Sequence, residues 1–405
     1  MLIFVDRLRI HLGRRLEKRA ASVREQYFYI VRILNVMGGL VGGDIFTPNF
    51  TAKNWYFKFV LFNIALVFSI NLFSLYKVYG SLVDFMYCLE TILYVGICSV
   101  KLYTFVWHKD LILKLHQFII TFMDNFGGSK EEDEHISQTV HNIYALLVLF
   151  ACCSCGAAGL IFVYSLLWSA LVEYVVPFGF VIPSVSIDNL RGFSVNYALQ
   201  LFESILTVSG IVGSECAFFM FLLNACLQVD MMCLELDRLS ALCVLNGKGQ
   251  YTVEIRNRIR TIIEHHIEHL DFMKTMCNLF MLHFLVVFGC IFFQLISIVV
   301  VVVAIPNWYP GYFLFTMLTF QLFFSCALGQ LLDLKCDELT VAIYTVPWYN
   351  MEVQDQKALR LLLMASQRPV LISYGFGTVN IRTFFEIYRK TYSIGMMMIG
   401  VNEEN

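Results

Sequence analysis

The spacing of two histidines in a polar stretch is the clearest candidate for metal chemistry in this sequence. His265 and His269 stand four residues apart within Glu264-His-His-Ile-Glu-His269, the spacing with which a helix presents two imidazoles to one zinc or iron ion. A membrane di-iron desaturase would need several such boxes, whereas other histidines are scattered singly. The pattern therefore favours a solvated helix face, and a membrane enzyme built around His265 and His269 is the alternative.

A cluster of cysteines, Cys152, Cys153 and Cys155, also has the composition of a metal site. It lies in a run of small residues from Ala151 to Ala158, and small residues let membrane helices approach closely, so helix packing is favoured. We expect the thirteen cysteines to be free thiols, because none falls in a predicted outer loop. We find no catalytic constellation, and we expect no enzyme activity, no metal and no cofactor.

Three acidic residues, Glu90, Glu203 and Glu215, stand inside apolar stretches. Acids inside a membrane are functional candidates by default, and an interhelical hydrogen bond from a protonated carboxyl is the alternative. Glu90 and Glu203 fall near the predicted outer ends of their helices, where they could line an outward-facing cavity.

The elements that carry these residues are membrane helices. Of the 405 residues, 58% are hydrophobic and 15% are charged, against about 25% charged in an average soluble domain. Seven stretches are long or apolar enough to be membrane helices, at about 55–79, 85–105, 143–171, 197–231, 280–304, 312–332 and 379–401. The predicted fold class is an all-α membrane protein, a single bundle in contact with membrane lipid. The formal net charge of −2 gives no sign of a nucleic-acid partner.

Lys and Arg residues outside these spans lie on alternate sides of the membrane. Residues 1–54 carry nine of them and 232–276 carry six, whereas the loops 80–84 and 305–311 carry none. Basic residues stay on the cytoplasmic side. We therefore predict seven transmembrane helices with a cytoplasmic N-terminus and an extracellular C-terminus, the reverse of a G-protein-coupled receptor.

Four segments follow from this topology. Residues 1–54 form a cytoplasmic N-terminus whose glycine-interrupted stretch 27–46 is re-entrant or interfacial, and residues 55–332 hold spans 1 to 6. Residues 333–378 form a cytoplasmic anchor segment, and 379–405 hold the last helix and an extracellular tail. Spans 3 and 4 exceed the length that a bilayer needs. In the fourth loop, apolar residues recur at helical spacing and predict one packed helix face: Ile255, Ile259, Ile262, Ile263, Ile267 and Leu270. We therefore expect long helices that project into a cytoplasmic bundle.

The outer parts of the spans offer an aromatic, mostly apolar surface with a few polar groups, the composition of small-ligand pockets. Ordinary core or lipid-facing packing is the alternative for each residue. The candidates are Tyr87, Thr91 and Tyr94 on span 2, Phe162, Ser165 and Leu166 on span 3, Tyr197, Gln200 and Ser204 on span 4, and Phe315, Met317 and Phe320 on span 6.

The last helix combines charges with an apolar end. Arg382, Glu386 and Lys390 are spaced four apart and share one face, and charges within a span normally face the bundle interior or water. The apolar stretch Ile394–Val401 is too short to cross a bilayer alone. We favour a central helix whose narrow outer end forms a hydrophobic gate. A cytoplasmic helix with an apolar tip entering the membrane is the alternative.

Several stretches resemble the insect odorant receptor family. In the fourth loop, His266 followed by Leu270, Phe272 and Phe280 is similar to the family pattern. The other similar stretches are Asp337–Leu339, Ala342–Tyr344 and Trp348-Tyr349, then Lys357–Leu363 and Ser366–Pro369, and finally Thr378–Phe384 and Lys390–Ser393. Gustatory receptors share the topology and are the nearest alternative, but the Gln-Phe of their signature does not follow Thr391-Tyr392.

The resemblance implies a ligand-gated, non-selective cation channel in the plasma membrane of olfactory sensory neurons. Four subunits would surround a pore lined by the last helix of each, and members of this type assemble with a shared co-receptor. A volatile odorant would bind in the outer half of the bundle, between spans 2, 3, 4 and 6. By motif position, the gate falls at Gly395 and Ile399 and the narrow position at Met398.

Two of these positions separate the chain from the co-receptor, which has Val and Gln where this chain has Gly395 and Met398. The sequence therefore resembles a tuning subunit. A metabotropic seven-helix receptor is a further alternative, and glycosylation of the sequon at Asn49 would support it.

Overall fold

The structure is a computed structural model that describes residues 12–17, 22–43, 46–47, 54–126, 128–246, 250–305 and 308–404, with side chains described up to residue 400. Asn49 of the sequon lies outside these ranges, and so do the side chains of Glu403 and Glu404 in the tail.

Helices make up most of the described chain. After a short helical segment at 12–17, they are α1 (Val23–Leu40), α2 (Trp55–Lys77), α3 (Leu82–Trp107), α4 (Lys109–Asn125), α5 (Lys130–Leu171), α6 (Leu190–Leu245), α7 (Thr252–Ala304), α8 (Pro310–Thr345), α9 (Val353–Ser366) and α10 (Ile381–Glu404). Within the described ranges, β pairing is limited to an isolated bridge between Ser373 and Thr378. The all-α fold class is therefore confirmed.

Polar caps determine where the long helices begin. Asn189 Oδ1 accepts a hydrogen bond from Gly192 N at 2.8 Å at the start of α6, and Ser129 Oγ accepts one from Glu132 N at 3.3 Å at the start of α5. Each cap satisfies an amide that has no partner in the first helical turn.

Six helices are long and apolar enough to cross a membrane, namely α2, α3, α5, α6, α7 and α8. They coincide with predicted spans 1 to 6, which are thereby confirmed as apolar helices. The seventh predicted span is also a helix, α10, with 24 residues. It does not belong to that set within the described residues, because Arg382, Glu386, Arg389 and Lys390 charge its first half. Its crossing of the membrane, and with it the side of each terminus, stay predictions.

Two helices are far longer than a bilayer is thick. α6 has 56 residues and α7 has 53, about 80 Å each at ~1.5 Å per residue, against a hydrocarbon core of about 30 Å. Their projecting ends pack with α8 and α9 around a second hydrophobic core that includes Leu236, Ile259, Ile343 and Leu362. The expected bundle of long helix ends is therefore present, and its place on the cytoplasmic side of the membrane stays a prediction.

The buried face of α7 is shifted by one residue, in its second half, from the face that the apolar residues predict. Buried residues recur at Ile255, Ile259, Ile262, His266 and His269, whereas Ile267 is 59% exposed. Alternate steps of three and four residues keep one helix face inward, and that face contains two of the histidines. The interpretation of these histidines as a solvated face is therefore wrong for His266 and His269.

Two further helices brace the bundle. α4 lies in the segment 106–141, for which no helix is predicted above, and it turns Ile112, Leu115 and Ile119 inward. α1 packs on α6. The Tyr27 hydroxyl of α1 lies 3.0 Å from Nδ1 of His116 in α4. The proposed re-entrant stretch 27–46 is thus helical up to Leu40, and its depth in the membrane stays a prediction.

Candidate functional site

Glu215 of α6 is the acceptor in a buried ion pair. Lys101 Nζ of α3 contacts Glu215 Oε1 and donates to Ser214 Oγ at 3.1 Å. Gln321 Nε2 and Ser325 Oγ of α8 donate to the same carboxylate at 2.9 and 3.4 Å. A buried charge pair is tolerated where hydrogen bonds satisfy its remaining atoms. This network therefore joins α3, α6 and α8, and we call it the α3–α6–α8 lock.

Glu203 lies on the same helix, 12 residues nearer the start of α6 than Glu215. Asn63 Nδ2 of α2 donates to Glu203 Oε1, and the Glu203 side chain is only half-buried and faces a cavity. The other candidate acid, Glu90, is buried, and its Oε1 has no hydrogen-bond partner in the described part of the chain.

The cavity beside Glu203 has about 820 Å³ of space that protein atoms do not fill, part of which is open to the surroundings. We call it the outer cavity, after the predicted orientation. Its wall is mostly apolar and comes from α2, α3, α5, α6, α8 and the segment between α5 and α6: Ile64, Val67, Asn71, Thr91, Tyr94, Val95, Cys98, Ala158, Ile161, Phe178, Phe180, Glu203, Ser204, Thr207, Val208, Leu314 and Met317.

Gln200 holds the loop that closes this cavity. Its Oε1 accepts from Phe178 N at 2.9 Å, and its Nε2 donates to Phe178 O at 3.2 Å and to Phe180 O at 2.7 Å. Asn196 Oδ1, one turn earlier on α6, accepts from Ile182 N at 2.8 Å. The rings of Phe178 and Phe180 are thereby fixed as one wall of the cavity.

Four of the twelve predicted ligand contacts line the outer cavity, namely Thr91, Tyr94, Ser204 and Met317. Phe162 and Tyr197 pack edge to face, with the Tyr197 hydroxyl donating to Phe162 O at 3.2 Å. Ser165 Oγ donates to Val175 O at 2.5 Å.

The remaining candidates also lie off the wall. Gln200 is occupied by the loop, and Tyr87 packs edge-on against Trp308. Phe315 packs against Tyr388 of α10, whereas Leu166 and Phe320 are exposed. Contact with a ligand stays a prediction for all twelve.

A second cavity lies nearer the α3–α6–α8 lock and has about 810 Å³ of space that protein atoms do not fill, part of which is open to the surroundings. We call it the inner cavity. Lys101 and Asn63 are part of its wall, together with residues from the end of α1 such as Leu34 and Gly38. It shares Ile64, Cys98, Glu203 and Thr207 with the outer cavity, so Glu203 stands at the junction of the two.

Sequence reasoning missed Lys101, Asn63, Asn71 and the two loop phenylalanines Phe178 and Phe180. A signal existed for the first three, because polar side chains in the middle of apolar spans usually find partners or line cavities. For Phe178 and Phe180 there was none, because only tertiary structure folds that loop over the helices.

The three predicted gate residues pack against their own chain. A Cβ on Gly395 would lie 3.3 Å from Val299 Cγ1 of α7, and Met398 and Ile399 pack on the cluster of Ile296, Val300 and neighbours. The exposed face of α10 carries Tyr392, Met396 and Met397.

The histidines singled out for metal chemistry are bound to separate partners. His265 Nδ1 lies 2.9 Å from Glu235 Oε2, and this hydrogen bond raises the pKa of His265. His269 Nδ1 lies 3.0 Å from Gln228 Oε1, and burial lowers the pKa of His269 to about 3. Within the described residues, no group of three potential metal ligands comes together. Cys152 and Cys155 are exposed.

Comparison with known proteins identifies the family. The family model described as 7tm Odorant receptor matches residues 81–392. The chain belongs to the odorant receptor family. The predicted resemblance is therefore confirmed, and the family and fold are those of receptors rather than enzymes.

Individual relatives of this odorant receptor are distant. Putative odorant receptor 83c of Drosophila melanogaster is 22% identical over 234 residues, which cover 54% of this chain and 58% of that protein. Odorant receptor 56a of the same organism is 40% identical over 57 residues, 14% of each chain. The chain thus matches little more than half the length of the first relative.

Solved structures show the same fold. The insect olfactory receptor OR5 from Machilis hrabei in complex with eugenol matches with a TM-score of 0.79 at 13% identity, covering 94% of this chain and 98% of that one. A second structure of that receptor matches with a TM-score of 0.75 at 13% identity, covering 93% and 98%.

Proposed function

We propose that this odorant receptor is a subunit of an odorant-gated, non-selective cation channel, and that a volatile molecule binds in the outer cavity. The observation that carries the proposal is the cavity itself. It is lined by five helices and a tethered loop, and its wall is apolar with few polar groups, as in small-molecule sites. The eugenol complex of OR5, which has the same fold, supports a small organic ligand.

α8 offers a direct route from the cavity to α10. Leu314 and Met317 of α8 line the outer cavity. On the same stretch, Phe315 packs edge-on against Tyr388 of α10, and the Thr319 hydroxyl is hydrogen-bonded to the Tyr388 hydroxyl. If a ligand binds more tightly when α8 has one placement in the bundle than another, it shifts the equilibrium toward that placement. Because α10 contacts α8, the placement of α10 shifts with it.

We place the pore along α10, with its constriction at the level of Gly395, Met398 and Ile399. The exposed face of α10 that carries Tyr392 and Met396 is available to a pore or to neighbouring subunits. Four subunits would then enclose the path for cations. The Gly and Met residues at 395 and 398, where the co-receptor has Val and Gln, support a tuning subunit that assembles with that co-receptor. Its place would be the plasma membrane of olfactory sensory neurons.

Current recording in excised patches without nucleotides tests this function. The chain would be expressed alone and with the odorant co-receptor, while a panel of volatile compounds is applied. We expect odour-evoked cation current only in the co-expressing cells. Current that requires GTP would instead establish a metabotropic receptor, and silence of a verified surface complex across the panel would contradict a channel role.

A matched pair of variants locates the ligand. Met317→Trp places a large side chain in the outer cavity, whereas Phe320→Trp changes an exposed residue one turn away on the same helix. We expect the first to abolish the odour response and the second to leave it intact. Equal effects of the two substitutions would argue against the outer cavity.

A further inference from the structure

The inner cavity lies at the depth of lipid chains. Its wall comes from α1, α2, α3, α6 and the segment that follows α1, so three predicted spans contribute to it. Trp55, at the start of α2, is 76% exposed, as is usual at a membrane interface. Val60 and Asn63 of the wall follow about 8 and 12 Å further along α2, at ~1.5 Å per residue. Since half of the hydrocarbon core is about 15 Å, the predicted spans place the cavity within one leaflet.

The surface around this cavity is apolar. α2 packs on α3, whereas Val60 and Asn63 of α2 face residues of α6 across the cavity. The helices that bound the cavity carry large exposed apolar side chains close in sequence to the wall residues: Val36 and Leu40 on α1, Leu61 and Phe62 on α2, and Phe202 and Ile205 on α6. Apolar side chains on the outside of a span face lipid. The open part of the cavity therefore communicates with lipid chains.

The polar side chains of the wall have partners within the protein. Lys101 is held in the α3–α6–α8 lock, and Ser214 Oγ accepts from it and donates to Ile211 O at 3.0 Å. Asn63 Nδ2 donates to Glu203 Oε1. Among the described residues, the enclosed polar side-chain atoms that lack a partner lie outside this wall. The wall therefore requires no polar group from a ligand, and water finds few partners in such a cavity.

Two basic side chains stand near the wall, toward the starts of α1 and α2. Arg32 is exposed and precedes Leu34 of the wall by two residues, and Lys58 is exposed and precedes Val60 of the wall by two residues. Both starts are predicted to be cytoplasmic, where Arg and Lys bind the phosphates of lipid headgroups. These charges favour a phospholipid over a sterol, whose polar end is a single hydroxyl.

We propose that the inner cavity is a lipid site that holds one acyl chain of a phospholipid from the leaflet at the start of α2. Lipid chains are as apolar as leucine side chains, so the chain gains mainly van der Waals contacts with a wall that otherwise lacks neighbours. Lipid is the solvent of the spans, so its chains are the most concentrated apolar groups available. The hydrogen bond from Asn63 to Glu203 joins α2 to α6 where the two cavities meet, and it separates the chain from the outer cavity.

Photo-cross-linking of the purified full chain tests the proposal. The protein is placed in phosphatidylcholine nanodiscs that contain a phosphatidylcholine with a diazirine in the middle of one acyl chain, and adducts are mapped by mass spectrometry after irradiation. We expect adducts on the wall residues Leu34, Val60 and Leu206, which are at most 7% exposed and contact a chain poorly unless it enters the cavity. Phe62 is 66% exposed and reports on the lipid around the protein.

Matched variants assign the adducts to the cavity. Leu206→Trp fills the inner cavity, whereas Val208→Trp, two residues further along α6, changes a residue that lines only the outer cavity. The first should remove the adducts at Val60 while Phe62 is labelled as before, and the second should leave both unchanged. If Leu206→Trp does not fold, Val60→Phe and its exposed neighbour Leu61→Phe form a second pair, with the loss of adducts at Leu34 as the expected result of the first alone.

Labelling of Phe62 without labelling of the wall would overturn the proposal, and so would equal effects of the two variants in a folded pair. Labelling of the wall by a photoreactive sterol or free fatty acid in preference to the phospholipid would also overturn it. The experiment requires neither odorant nor co-receptor, so the proposed function fails separately. Absence of odour-evoked current would leave the lipid site intact, and absence of wall adducts would leave the channel intact.

Discussion

The α3–α6–α8 lock should be the most sensitive point of the membrane bundle to loss of a single charge. The Lys101 and Glu215 side chains are only 4% and 1% exposed, so water replaces a lost partner poorly. Lys101→Met keeps an unbranched side chain of similar length but leaves the carboxylate with only neutral donors. Removing one partner of a buried ion pair costs about 3–5 kcal/mol.

The size of this effect can be stated as a shift in Tm. With an unfolding entropy of ~2.1 cal/mol/K per residue, a chain of this length loses about 1 °C of Tm for roughly each 0.85 kcal/mol. Lys101→Met should therefore lower Tm by about 4–6 °C. In the double variant Lys101→Met/Glu215→Gln no charge remains, while an acceptor is kept for Gln321. Because replacing both charges is often neutral, its Tm should return to within about 2 °C of the wild type.

The assay is thermal unfolding of the purified protein in nanodiscs, followed by tryptophan fluorescence. The control is Lys114→Met, which breaks an ion pair with Asp271 whose side chains are 60% and 65% exposed. Exposed pairs contribute about 0–1 kcal/mol, so this variant should stay within about 1 °C of the wild type. Equal losses in the two lysine variants, or additive losses in the double variant, would refute the reasoning.

Four further predictions concern the projecting bundle, the loop and the pore. The pKa of His265 is raised by its hydrogen bond to Glu235, so its contribution to stability is complete below its unfolded value of about 6.5 and is lost as pH rises through the folded value. Tm should therefore fall less steeply in Glu235→Gln than in the wild type between about pH 6 and pH 8, and parallel curves would contradict this. His269, whose pKa burial lowers to about 3, acts in the opposite sense, so His269→Gln should reduce the loss of Tm on acidification below about pH 6.5. Gln200→Leu removes the hydrogen bonds to the backbone of Phe178 and Phe180, each worth about 1 kcal/mol. It should raise the odorant EC50 about tenfold or more at unchanged surface expression. An unchanged dose–response curve would show that the loop does not shape the site. Met398→Glu should alter ion selectivity or block while the odorant EC50 changes by less than about threefold, and unchanged permeation would argue that α10 does not line the pore.

The membrane helices could be predicted from sequence because their signal is local. Hydropathy and charge placed the first span at 55–79, and α2 covers Trp55–Lys77. The projecting helices were also predictable, since helical spacing continued beyond the length that a bilayer requires. The buried face of α7 was predicted with an error of one residue. Apolar residues alone suggest that Ile267 is buried, whereas the packed face contains His266 and His269.

The wall of the cavity could be predicted only in part, because it depends on which helix faces meet. Span 2 correctly suggested a surface with Thr91 and Tyr94, but its neighbour Tyr87 turns toward Trp308 instead. Phe178 and Phe180 reach the cavity only because Gln200 holds their backbone. No periodicity within the loop itself contains that information.

The contrast between Glu203 and Glu215 shows why an acid within a span does not define a function by itself. Both lie on α6, and both are costly to place in a membrane. Glu215 meets a lysine and two donors of α8 and is fully enclosed, so its charge joins helices. Glu203 accepts a hydrogen bond from one amide of α2 and is half-buried, so its carboxylate forms part of a cavity wall. The difference comes from the partner residues Lys101 and Asn63, which are supplied by other helices. Within one helix, the same residue type therefore joins helices at one level and lines a cavity about 18 Å away at ~1.5 Å per residue.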